Sequence, residues 1–236
     1  LLNPGLTYAV IVAGGTGERM KSPIPKQFMD IAGLPVLMHT LNAFLKAVPS
    51  VHLVIVLPAG QMDTWTALIE KHSFRVPHRV TEGGQERFYS VKNGLEHVPD
   101  DSVVAIHDGV RPLVTPLLIR TCFRDALFYG SAVPCIVPAE SVRVMTGSTH
   151  RPMDRNDIRI IQTPEAFQAA LIKKAYQQPF RDSFTDDATV LEAMGHSVHL
   201  VEGNAWNIKI THPEDLILVE AILRMTGSRQ FNNLTI

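Results

Sequence analysis

Short apolar runs alternate with segments of helical period along this chain, and that alternation most limits what it can become. Residues 8–12, 53–57, 102–106 and 132–137 are apolar runs of five or six residues. Such runs, bounded by glycine, proline or charge, read as buried strands. Between them, 36–44, 62–72, 85–95 and 116–129 carry apolar residues at helical spacing. Pro116 sits in the first turn of the last of these, where its missing N–H is not needed. Residues 79–80 add a short strand. Strands and helices taking turns in this way predict a mainly parallel α/β sheet in three layers.

The stretch 139–161 breaks the rhythm. Ser141, Val142, Val144 and Met145 alternate ahead of Gly147-Ser148, and His150, Arg151 and Arg155 follow. This predicts a hairpin leaving the sheet. Further on, 167–177 and 188–193 read as helices, the second capped within Thr185-Asp186-Asp187. Residues 198–201 and 208–210 read as late strands, and 213–225 as a closing amphipathic helix. Residues 226–236 are polar and aperiodic and read as a tail. With no internal repeat or linker, the expectation is one domain over 1–236, with 139–161 as its arm.

In open α/β sheets ligands bind at the carboxyl ends of the strands, so the residues there carry the functional argument. The first run ends in Ala13-Gly14-Gly15-Thr16-Gly17, followed by Arg19, Lys21 and Lys26. Glycine lets a ligand approach the backbone, and successive N–H groups in such a turn form an anion-binding nest. A plain glycine turn with solvated lysines would look the same. The dinucleotide fingerprint G-x-G-x-x-G fails at Met20, and no Walker A run occurs. A second strand end carries Gly83-Gly84 with Arg87 and Ser90, a third Asp108 and Arg111, and a late one Lys209. Lysine within an apolar stretch is costly unless it is paired or faces a ligand. Asp108 is placed to hold a magnesium ion or a ribose hydroxyl, or else to pair with Arg111.

The formal charge of −1 excludes a general affinity for nucleic acid or membrane surfaces, so any anion site must be local. No apolar stretch approaches the ~18 residues of a membrane span. The start lacks the pattern of a signal peptide, and a cytoplasmic location is the default expectation. Cys122 and Cys135 lie in apolar surroundings without metal-ligand spacing and read as core.

The ordered set A-G-G-x-G-x-R-M, P-K-Q-F, E-G-G-x-x-R, H-D-x-x-R-P, D-R-N, Q-T-P, T-D-D-A and N-I-K-I-T-x-P-E-D-L runs from Ala13 to Leu216. It resembles the 2-C-methyl-D-erythritol 4-phosphate cytidylyltransferases among the sugar nucleotidyltransferases. The opening motif alone is common to many such enzymes; the full set is far more specific. The resemblance implies a single Rossmann-like domain with a β-arm, a homodimer joined through that arm, CTP and a polyol phosphate as substrates, and Mg2+ as cofactor. It implies that Arg19 and Lys26 serve the triphosphate and the transition state. Arg155, reaching a neighbouring subunit from the arm, and Lys209 would position the sugar phosphate. Ala13, Gly14, Gly15, Gly83, Gly84, Arg87, Ser90, Asp108 and Arg111 would fall to the nucleotide, with Ser141 and Thr163 as further substrate contacts and Asp108 near the metal. Three positions depart from the pattern: Glu165 follows Thr163-Pro164 where glutamine is usual, Ser141 replaces an arm threonine, and Gln85 stands where an acid sometimes follows Gly-Gly. Ribitol-5-phosphate cytidylyltransferases share the nucleotide motifs and are the nearer alternative. A nucleotide-binding regulatory protein without catalysis is the farther one.

Overall fold

The structure is a computed structural model describing residues 3, 5–15, 20 and 22–227. Twelve strands and seven α-helices occur among them. Strands β1 (Thr7–Val12), β4 (His52–Leu57), β5 (Arg79–Glu82), β6 (Val103–Asp108) and β7 (Ser131–Ile136) fall where the apolar runs place them. Short β10 (Ile160–Ile161), β11 (Glu165–Gln168) and β12 (Leu200–Glu202) complete an eight-stranded sheet in the order β10-β7-β11-β6-β1-β4-β5, with β12 paired to β7. The pairs β6–β1, β1–β4, β4–β5 and β12–β7 are parallel. Two strands break the direction: β11 runs antiparallel to β6 and β7, and β10 to β7. A small pair, β2 (Asp30–Ile31) and β3 (Leu34–Pro35), stands apart.

The period-two alternation of the strands divides the core in two. Ala9, Ile11, Leu53, Ile55 and Ala105 join α1 (Val36–Ala47), α2 (Met62–Lys71) and α4 (Pro116–Tyr129) on one face. Val10, Val54, Val56, Val104 and Ile106 join α3 (Arg87–Leu95), α5 (Ala169–Ala175) and α6 (Asp187–Glu192) on the other. Each Val, Leu or Ile side chain among these, fully buried, contributes about 1.5–3 kcal/mol. A third cluster seats α7 (Pro213–Gly227) through Val219 against Ile31, Val36, Val110 and Ile210. The result is the three-layer, mainly parallel α/β arrangement read from the sequence.

Gly94 is the point where α3 presses closest on the sheet. A Cβ there would lie 2.5 Å from Val10 Cγ1 and 3.0 Å from Val56 Cγ2. Both methyls belong to stiff, buried strand residues. Gly94→Ala gains about 1 kcal/mol of helix propensity but overpacks the core at a cost of about 1–3 kcal/mol. A lowered Tm in calorimetry is the expected outcome.

The stretch 139–161 contains a two-stranded hairpin, β8 (Val142–Thr146) and β9 (Thr149–Met153), paired from Val142↔Met153 to Thr146↔Thr149. Strands β8 and β9 form no ladder with the main sheet, whereas residues 160–161 at the end of the stretch belong to it as β10. Two expectations need correction. Residues 165–168, half of them assigned to a helix, form β11, and the helix begins at Ala169. Residues 208–210 are not a strand: Ile210 donates its N–H to Val110 O, one bond in place of a ladder. The tail is largely outside the described residues.

Candidate active site

Parallel strands β1, β4, β5 and β6 end along one edge of the sheet. Their ladders run one residue further, with Ala13 N–H on Val56 O (2.9 Å), Gly83 N–H on Leu57 O (2.8 Å) and Gly109 N–H on Val12 O (2.8 Å). The loops therefore leave side by side and frame a cleft of about 340 Å3. Ala13, Gly14, Gly15, Lys26, Gly84, Arg87, Ser90, Asp108 and Lys209 all line it. Nine residues singled out from a one-dimensional pattern thus meet in one place.

Gly83 lies behind the wall. A side chain there would meet Ser90 Oγ at 2.9 Å. Ser90 Oγ accepts from Gly84 N–H at 3.1 Å and so pins the bare loop to α3. Lys26 belongs to a short 3-10 turn, Lys26–Phe28, entered through Pro25. It is only 8% exposed, and its Nζ donates to Ile210 O at 2.8 Å. That contact ties the first loop to the segment carrying Lys209.

Asp108 is the electrostatic centre. Its Oδ2 pairs with Arg111 Nε at 3.0 Å and Lys209 Nζ at 3.1 Å. Burial alone would raise its proton affinity, but Lys209, Arg87 and Arg111 together hold the carboxyl far below the usual carboxylate range. Arg111 is buried and also donates to Asn207 O at 2.8 Å, so much of its hydrogen-bonding capacity is spent within the protein. Thr163 stands behind: its Oγ1 accepts from Asp108 N–H at 3.1 Å and lies 2.9 Å from His107 Nδ1. Burial pushes His107 down to about 3, so the ring is neutral. Its Nε2 faces Arg111 O at 3.3 Å. A carbonyl can only accept, so the proton sits on Nε2 and Thr163 donates to Nδ1. With both nitrogens occupied, His107 is not a free base.

Arg87 opens α3 and makes a two-pronged contact with Asp187: Nη1 to Oδ1 at 2.9 Å and Nη2 to Oδ2 at 2.6 Å. Burial disfavours its charge, yet Asp187 raises its proton affinity well above normal. Arg155 and Ser141 do not line this cleft; they flank the hairpin, where Arg155 Nη1 donates to Ala139 O at 2.6 Å. Arg19 lies outside the described residues.

Four contributors carried no assigned role in the sequence. Gln27 lines the cleft and donates from Nε2 to Ala13 O (2.9 Å) and Gln61 Oε1 (2.7 Å), holding the glycine loop from beneath. It lay in the quoted P-K-Q-F, but an amide carries no charge signal. Gln85 and Glu86 also line the cleft. Asn207, buried, donates to Thr163 O at 2.7 Å. Among the described residues, no group of three or more His, Cys, Asp or Glu is arranged to hold a metal.

Residues 7–225 match the family model of IspD, 2-C-methyl-D-erythritol 4-phosphate cytidylyltransferase. A protein of that name from Bacteroides fragilis is 50% identical over 215 residues, covering 91% of this chain and 98% of its own. One from Porphyromonas gingivalis is 46% identical over 217 residues, covering 92% and 97%. The crystal structure of 2-C-methyl-D-erythritol 4-phosphate cytidylyltransferase from Thermus thermophilus superposes with a TM-score of 0.75 at 30% identity, over 93% of this chain and 98% of that one. The 4-diphosphocytidyl-2C-methyl-D-erythritol synthase structure from Anaerococcus prevotii gives 0.79 at 26% identity, over 94% and 97%. Matched in sequence from residue 7 to residue 225, and alike in fold over nearly its whole length, the chain belongs to the 2-C-methyl-D-erythritol 4-phosphate cytidylyltransferase family.

Proposed function

We propose that this chain transfers the cytidylyl group of CTP to 2-C-methyl-D-erythritol 4-phosphate, giving 4-diphosphocytidyl-2-C-methyl-D-erythritol and pyrophosphate in isoprenoid biosynthesis. The observation that carries the reading is the meeting of Lys26 with the Lys209–Ile210 segment across one cleft beside Asp108 and the Gly14-Gly15 loop. Two ammonium groups from opposite ends of the sequence suit a reaction that must bring two anions together.

The nucleophile is a phosphate monoester carrying about −1.5 to −2 charges at pH 7. It needs no general base, in keeping with the engaged ring of His107. Its oxygen attacks the α-phosphorus of CTP, the bond to the bridging oxygen breaks, and pyrophosphate leaves with that electron pair. Catalysis then rests on alignment and on cations placed where charge develops. Backbone N–H groups of Gly14 and Gly15, with Lys26 and Arg19, serve the triphosphate. Ala13, Gly83, Gly84, Arg87 and Ser90 serve the nucleoside. Lys209 aligns the incoming phosphate, and Arg155 with Ser141 would join it from the hairpin of a second copy, in a cytoplasmic homodimer. Arg111 and Thr163 keep Asp108 in place.

Asp108 fits a magnesium ion. Such an ion needs one or two carboxylates, its remaining ligands being substrate phosphate oxygens and water, and both protein cations on Asp108 approach the same oxygen, Oδ2. When bound, the metal would neutralise charge on the triphosphate.

The test is pyrophosphate release measured with each of the four common NTPs against methylerythritol phosphate and ribitol phosphate. Release only from CTP with methylerythritol phosphate is expected. Preference for ribitol phosphate would move the chain to the sister activity. CTP binding without release in either case would leave a nucleotide-binding protein.

A further inference from the structure

The second aspartate of Thr185-Asp186-Asp187-Ala188 has no part in the mechanism above, yet it is fully buried and a guanidinium and a hydroxyl converge on it. Asp187 is the first residue of α6, a hundred positions from Arg87. Its two oxygens take the two terminal nitrogens of the Arg87 guanidinium, a fork-on-fork contact that fixes direction as well as distance. The Tyr176 hydroxyl, itself buried, donates to Oδ1 of the same carboxylate. The main chain is held too. Glu165, 1% exposed, accepts from Asp187 N–H at 3.3 Å and Ala188 N–H at 2.8 Å. The preceding Asp186 closes a capping box with Thr189, fixing the start of the helix. The Tyr176 ring stacks on Phe88, the residue after Arg87, with centroids 4.7 Å apart. Thus α3, α6, β11 and the residue that caps α5 all contribute to the setting of one guanidinium at the cleft wall.

We infer that Asp187, braced by Tyr176 and Glu165, is a positioning residue that presents Arg87 to the nucleoside end of the bound nucleotide. The inference rests on the nucleotide reading above. Asp187 itself does not line the cleft; Arg87 does. A free arginine side chain carries about 2 kcal/mol of rotamer entropy, which a ligand would otherwise have to overcome. Here it is lost on folding. The carboxylate takes two of the five N–H donors and offsets the charge, so the remaining three act as directed hydrogen-bond donors toward hydroxyl or carbonyl oxygens. This corner differs in kind from that of Lys26 and Lys209, where the cations meet phosphate.

A double-mutant cycle separates positioning from a merely structural tie between helices. CTP affinity by calorimetry and KM and kcat from pyrophosphate release would be measured for wild type, Asp187→Asn, Arg87→Ala and the double variant. Asp187→Asn is expected to weaken CTP binding and raise its KM by about tenfold or more, as for a lost charge-assisted hydrogen bond, with kcat changed far less. Against Arg87→Ala it should change nothing further. Unaltered CTP binding in Asp187→Asn, or an effect that persists without Arg87, would overturn the inference. If Asp187→Asn does not fold, Tyr176→Phe decides: a few-fold loss of CTP affinity that vanishes in the Arg87→Ala background supports it, and no loss refutes it. A wild type that binds CTP but releases no pyrophosphate would refute the transferase reading alone. One that binds no CTP would refute both.

Discussion

Lys26→Ala is expected to lower turnover by on the order of 10²-fold or more, the effect of removing one preorganised donor from a site of developing charge, while the protein still folds. The expectation comes from how the ammonium is held. Pro25 fixes the entry to the 3-10 turn, Phe28 stacks near Trp65 with centroids 6.1 Å apart, and Gln27 ties the turn to Ala13 O. The stem of Lys26 is buried and its tip rests on Ile210 O. Little reorganisation is left for the moment when pyrophosphate departs, and that is the condition under which a charge lowers a barrier most. Lys26→Arg would restore the charge but not the shape. A planar fork replaces a compact point charge in a space closed by Gln27 and the glycine loop. Pyrophosphate release under saturating CTP and methylerythritol phosphate, beside a thermal melt of each variant, checks both. Near-normal turnover of a well-folded Lys26→Ala protein would count against the transferase reading.

What could be read from sequence was what is local. Helix α4 starts with Pro116 and ends at Gly130, which adopts φ +88°, and both signals are visible in the chain. The strand cores and the Asp186 cap were legible for the same reason. β11 was not. It is four residues long, and the α5 helix follows at once, so no turn residue marks the change of period. Around Lys209 the alternation Ile208, Lys209, Ile210 imitates a strand, but that pattern arises because Ile210 is buried in the α7 cluster. The site was legible in part. Glycines and cations at strand ends can be seen, and Gly14, Gly15, Gly84, Lys26, Arg87 and Lys209 do meet in one cleft, whereas Gly83 and Arg111 lie behind its wall. Their counter-charges are set by the fold. Nothing near Arg87 in the sequence points to Asp187, and nothing near Lys26 points to Ile210.

Arg111→Met is expected to be strongly destabilising, although Arg111 lies behind the cleft wall instead of lining it. Its guanidinium is the buried partner of Asp108: Nε pairs with Oδ2, and Nη1 bonds to Asn207 O. Methionine would fill much of the volume but leave the carboxylate to Lys209, whose side chain is 42% exposed and partly screened by water. Removing one member of a buried pair costs about 3–5 kcal/mol, chiefly because the remaining charge is stranded. For a chain of this size each kcal/mol lowers Tm by about 2–4 °C, so a drop of more than about 6 °C should appear in calorimetry. The cause can be separated from lost packing. Asp108→Asn in the Arg111→Met background removes the stranded charge, and replacing both members of a buried pair is often close to neutral. The double variant should therefore melt well above Arg111→Met, even though Asp108→Asn takes away the residue proposed to hold the metal. If the single and double variants melt together, the loss is one of shape, and Lys209 alone suffices to hold Asp108 charged. If the double variant recovers, the pair is what keeps a carboxylate ionised in a buried site, as the proposed magnesium site requires.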